Sequence, residues 1–89
     1  MAWRVELDHA AERDIDDLDQ QDSRRILKFL FERLAHSENP RGIGEALKGP
    51  RLGEFWKYRV GDYRIIAKIE DGLLRIMVVK IGNRREVYR

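Results

Sequence analysis

The 89-residue sequence contains no cysteine, so neither disulfides nor a thiolate metal site can hold the chain together. A small single domain over residues 1–89 must then be stabilised by packing alone. No apolar run approaches the ~20 residues that a membrane-spanning helix needs. The opening Met1-Ala2-Trp3-Arg4 passes straight into alternating residues with no secretory pattern, so the expectation is a cytoplasmic protein without a membrane. Histidine is scarce too: His9 and His36 fall in or beside predicted helices and read as surface residues. With no cysteine, they leave no metal site and no cofactor to expect. Hydrophobic residues still make up 43% of the chain, enough for a core, so disorder is excluded.

Net charge is also small, +2, but it conceals a division along the chain. Residues 1–56 carry nine Lys/Arg against twelve Asp/Glu, whereas residues 57–89 carry nine against four. A basic last third suits contact with a polyanion or an acidic protein partner.

Trp3, Val5 and Leu7 alternate with Arg4 and Glu6, the period of a half-buried strand. Asp8 is placed to cap a helix whose stripe is Ala11, Ile15 and Leu18, with Asp14, Asp16, Asp17 and Asp19 facing water. Asp22 suits a second cap, before a wide stripe of Ile26, Leu27, Leu30, Phe31 and Leu34. Two helices so close in sequence predict an antiparallel helical hairpin. From His36 to Gly53 both prolines and four glycines mark a connecting loop, with a possible turn of helix at Ile43–Leu47. Strands are expected at Glu54–Val60, Tyr63–Ile69 and Leu73–Ile81, joined at Gly61-Asp62 and Asp71-Gly72, both two-residue hairpin signals. The fold class is α+β: an N-terminal strand, a helical hairpin and a three-stranded antiparallel meander, with the helices on one face of one sheet.

A two-residue loop at Gly61-Asp62 sets Val60 opposite Tyr63, Arg59 opposite Arg64 and Lys57 opposite Ile66. Trp56, Tyr58, Val60, Tyr63, Ile65, Ala67 and Ile69, with Leu74, Ile76 and Val78, then form the core face. The other face collects Lys57, Arg59, Arg64 and Lys68, with Arg75 nearby, as candidate RNA-binding cations. Two arginines directly opposite each other cost about 0.2–1 kcal/mol. A bound phosphate reverses the sign of that interaction, because each guanidinium offers a planar fork of donors. The chain closes on Ile81-Gly82-Asn83-Arg84-Arg85-Glu86-Val87-Tyr88-Arg89, where Arg85 joins the RNA-binding candidates and Tyr88 either stacks on a base or packs as a terminal anchor.

The stretches Leu47-Lys48-Gly49, Phe55-Trp56-Lys57-Tyr58-Arg59-Val60-Gly61-Asp62-Tyr63-Arg64-Ile65-Ile66 and Ile81 to Tyr88 together resemble the RelE/ParE toxin superfamily of type II toxin-antitoxin systems, its RelE branch above all. The resemblance implies a ribosome-dependent mRNA endoribonuclease that enters the A site and uses a ribose 2′-OH to attack the adjacent phosphate, with no metal. It implies a RelB-like antitoxin as partner, and operator DNA reached only through the antitoxin complex. Lys57 resembles the basic residue near the attacking hydroxyl, Arg64 the arginine that stabilises the transition state, Arg84 the arginine at the leaving group, and Tyr88 the tyrosine that orients the nucleotide. Arg59 stands where the family often has lysine. An arginine clamps phosphate but is a poor base, which leaves Lys57 as the expected base if cationic neighbours favour its neutral form. Asn83 stands where many relatives have histidine, so the acid's task passes to Arg84, Tyr88 or the ribosome. Two alternatives stay open: a ParE-like inhibitor of DNA gyrase, and an inactive relative that serves as an antitoxin-binding corepressor.

Overall fold

A computed structural model describes residues 2–47 and 55–83. Strand β1 (Arg4–Leu7) leads into helix α1 (His9–Asp16) and helix α2 (Gln20–Lys28), which continues as a π-helical segment, Phe29–Leu34. Four more strands follow: β2 (Glu45–Ala46), β3 (Phe55–Val60), β4 (Tyr63–Glu70) and β5 (Arg75–Asn83). They form one sheet in the order β1-β5-β4-β3-β2, with β1 parallel to β5 and the other pairs antiparallel. The α+β class and the meander agree with the sequence reading.

Asp8 caps α1, its Oδ1 accepting the Ala11 amide at 2.9 Å. The cap of α2 is Asp19 and not Asp22: Asp19 Oδ1 accepts the Asp22 amide at 2.8 Å. Asp22 is thereby placed three residues into the helix, and its carboxylate accepts the Tyr63 hydroxyl at 2.9 Å. Ile26, Leu30 and Leu34 are fully buried, each transfer from water contributing about 2 kcal/mol. Phe31, expected in that stripe, is exposed, and Phe29 packs on the core in its place. These side chains meet Tyr58, Ile65, Ala67, Ile76 and Val78 on one face of the sheet.

The segment at Ile43–Leu47 is not a turn of helix. Glu45 and Ala46 pair with Lys57 and Trp56 as the edge strand β2, because a two-residue strand has too little periodicity to betray itself. Asp71-Gly72 is not a two-residue hairpin either. Asp71–Leu73 forms a 3₁₀ turn and Leu74 takes the left-handed conformation at φ 49, so the register becomes Glu70 opposite Arg75 and Leu74 leaves the core face. Farther along, Ala67 pairs with Val78 but Ile66 with Lys80, a bulge that adds one residue to β5. The bulge turns Ile81 inward, 3% exposed, and its amide donates to Asp14 Oδ2 at 2.9 Å. Asp14 is therefore a structural acceptor, where the pattern had it facing water.

The two turns differ in what they ask of glycine. Gly61 has φ 59, while Gly72 lacks positive φ and has nothing within 4 Å of a Cβ placed there. Gly72→Ala is expected to raise stability by about 0.4–1 kcal/mol, through the unfolded chain alone. Gly61→Ala is expected to cost about 1–2 kcal/mol. Urea midpoints of the two variants check this, and equal shifts of one sign would sink it.

Candidate functional site

The β3–β4 register sets Arg59 opposite Arg64 and Lys57 opposite Ile66. Alternation along the strands turns Lys57, Arg59, Arg64 and Lys68 away from the helices. The sequence reading of this face therefore stands, and the edge strand adds a wall to it. Glu45 lies opposite Lys57, with Oε2 3.4 Å from Nζ. Between β2 and β4 opens a cleft of about 290 Å³, lined by Gly42, Ile43, Gly44 and Glu45 on one side and by Lys57, Tyr58, Arg59 and Arg64 on the other.

The cations in the cleft are held differently. Arg59 is exposed, and among the described residues its Nε donates to the Gly61 carbonyl at 3.4 Å. Arg64 is half-buried, and its Nη1 is buried with no hydrogen-bond partner among the described residues. A buried donor without an acceptor costs about 1–3 kcal/mol, more when charged. The site thus holds, at Arg64 Nη1, donor capacity that the described residues do not use, in a cleft lined by three cations. Lys57 is ion-paired with Glu45, which places a carboxylate among the cations of the cleft.

The wall is fixed by contacts that sequence patterning did not reveal. Tyr58, 1% exposed, donates its hydroxyl to the Pro40 carbonyl at 2.7 Å. Arg41 forks onto Asp71 at 2.8 and 2.7 Å and lies 5.8 Å from the Trp56 ring centre, tying the loop to the β4–β5 turn. That fork holds the Asp71 carboxyl below its ordinary range. The Gly-x-Gly of residues 42–44 before an acidic residue is the signal that could have pointed to a close-packed wall.

Burial pushes the Tyr58 hydroxyl up from 10.0 to about 12, against a lowering by the nearby Arg41 charge. A tyrosine whose folded value is raised contributes stability that is complete below its unfolded value and is lost as pH rises through the folded one. Stability is accordingly expected to fall between about pH 10 and 12 in the native chain and to level off in Tyr58→Phe. Denaturation midpoints across that range check it, and parallel curves would refute it.

Other candidates fall elsewhere. Lys68 is exposed on the same face, opposite Phe55. Arg75, expected among the RNA-binding cations, shares the face and is engaged by the protein's own carboxylates. It forks onto Glu70 at 3.0 and 2.8 Å and reaches Glu6 at 3.3 Å, so its charge is spent inside the protein, and the Glu70 carboxyl is held below its ordinary range in return. Asn83 pairs with Tyr63 on the helix side, beside Asp14 and Asp17. Arg84, Arg85 and Tyr88 lie outside the described residues. His9 and His36 are exposed. Among the described residues no group of three His, Cys, Asp or Glu is placed to hold a metal, and no helix is long and apolar enough to cross a membrane.

Comparison with known proteins connects this geometry to relatives. The family described as the ParE toxin of type II toxin-antitoxin systems matches residues 5–88. Toxin RelE of Mycobacterium tuberculosis is 30% identical over 87 residues, 98% of this chain and 87% of that protein. Toxin RelG of the same organism is 27% identical over 89 residues, 100% of this chain and 99% of that one. Among solved structures, the RelBE2 toxin-antitoxin complex of Mycobacterium tuberculosis superposes with a TM-score of 0.85 at 23% identity, covering 94% of this chain and 100% of that chain.

Proposed function

We propose, from the premise that this chain belongs to the RelE/ParE family of type II toxin-antitoxin toxins, that it is a metal-independent, ribosome-dependent mRNA endoribonuclease. One observation carries this reading: Lys57, Arg59 and Arg64 line a single cleft together with a carboxylate. In the reaction a ribose 2′-oxygen bonds to the adjacent phosphorus and the 5′-oxygen leaves, giving a cyclic phosphate and a 5′-OH. The 2′-OH proton goes to an acceptor, and the leaving oxygen takes one from a donor. Arg64 stabilises the charge that develops on the phosphate, with Arg59 as a second clamp. Glu45 takes the 2′-OH proton, and Lys57 orients that carboxylate and steadies the phosphate. Arg84 and Tyr88 retain the leaving-group and stacking roles that the resemblance implies.

The solved relative is a complex with its antitoxin, which supports a RelB-like antitoxin as partner here. Its acidic or apolar segments would cover the cleft, and operator DNA would be reached only through that complex. The ribosome and its mRNA are the remaining partners, in the cytoplasm.

The decisive experiment is mapping of transcript 5′-ends after induced expression, where cuts in phase with the reading frame are expected. A ParE-like gyrase inhibitor is the second reading, favoured by the family match over residues 5–88. Supercoiling inhibited with transcripts intact would select it.

A further inference from the structure

On the side of the sheet away from the helices, the register links β3, β4 and β5 into rows. Phe55 lies opposite Lys68, and Lys68 opposite Met77; Lys57 lies opposite Ile66, and Ile66 opposite Lys80. Arg59, Arg64 and Gly82 form the next row, in which glycine leaves the space beside Arg64 without a side chain. In the first two rows apolar and cationic side chains therefore alternate both across the strands and along them. A solvated sheet face ordinarily carries polar residues, yet here Ile66 is only 8% exposed and Phe55 and Met77 are half-buried, among the exposed Lys68 and Lys80.

We propose that this strip is a track for one further nucleotide of single-stranded RNA beyond the cleft, its base on the accessible part of the Phe55 ring and its phosphate between Lys68 and Lys80. The inference rests on the ribonuclease reading for its choice of ligand and deepens it. An exposed base offers an aromatic ring a face to stack on, whereas a paired base does not. The lysines supply the opposite charge. Successive rows are about 7 Å apart along the strands, and the apolar strip is one side chain wide. A partner helix, roughly 10 Å across, needs a broader groove.

The test is fluorescence anisotropy with a short 2′-O-methyl RNA, which presents bases and phosphates but cannot be cut. Phe55→Ala is expected to weaken binding at least about fivefold, and Phe55→Trp to preserve it. Lys68→Gln and Lys80→Gln are each expected to lower the slope of log affinity against log salt by about 0.7. Because the probe cannot react, these outcomes are independent of cleavage. Loss of the ribonuclease reading with Phe55-dependent binding intact leaves the track standing, while in-frame cleavage with Phe55-independent binding sinks the track alone. Lys80 is exposed, so Lys80→Gln keeps the proposal falsifiable should Phe55→Ala fail to fold. A native chain that binds no RNA, yet whose antitoxin protects Phe55 from solvent, would assign the strip to the protein partner and overturn the proposal.

Discussion

Arg64→Ala is expected to leave the fold standing and to lower transcript cleavage by about 10²–10³, the usual loss when one preorganised donor to a developing oxyanion is removed. The two halves of that expectation have one origin. Arg64 faces Arg59 across the hairpin and carries a buried Nη1 with no partner among the described residues. Removing it relieves a repulsion of about 0.2–1 kcal/mol and deletes an unsatisfied donor, against the lost packing of its aliphatic stem. Thermal midpoints should therefore change little while cleavage collapses. Arg64→Lys should fall between, since it keeps the charge but loses the planar fork. An Arg64→Ala chain that still arrests growth and still yields in-frame 5′-ends would falsify the assignment.

The register behind this expectation was legible in the sequence because Gly61-Asp62 leaves a hairpin almost no freedom. Once Val60 meets Tyr63, every pair down to Phe55 and Lys68 follows. The turn at Asp71-Gly72 misled for the converse reason. It carries the dipeptide of a tight hairpin, but the positive φ falls on Leu74, where no sequence rule looks for it. The bulge at Val78 to Lys80 was equally hidden, and the acceptor of the Ile81 amide just beyond it, Asp14, lies 67 residues away in sequence.

The candidate site divides in the same way. Its cationic floor follows from strand alternation, a local property. Its wall does not, because Glu45 enters only when a two-residue edge strand docks on β3, and Arg75 leaves only when Glu6 and Glu70 close on it. Charge counting cannot distinguish a cation held for a ligand from one already paired. That distinction needs the third dimension.

The wall's dependence on one glycine gives the second large expectation. A Cβ at Gly44 would sit 2.6 Å from Tyr58 Cε1 and 3.0 Å from the Lys57 carbonyl oxygen. Neither neighbour can yield easily. The Tyr58 ring is held by its hydroxyl on Pro40 and lies 5.9 Å, centre to centre, from Phe29, while the carbonyl belongs to the β3 backbone. Gly44→Ala must then push β2 outward, at a cost of about 1–3 kcal/mol, or a fall in melting temperature of roughly 4–8 °C for each kcal/mol. Moving β2 also carries Glu45 off Lys57, so cleavage should fall further than stability alone explains. Gly42→Ala is the milder comparison, because its Cβ meets the Asn39 side-chain nitrogen at 3.2 Å and the Asn39 carbonyl oxygen at 3.3 Å, neither as close as the Tyr58 ring is to Gly44, so its cost should be smaller. If the ring is the obstacle, the cost of Gly44→Ala should shrink in a Tyr58→Leu background, a coupling that a double-mutant cycle reads directly. Strict additivity would place the obstacle elsewhere and detach the wall from Tyr58.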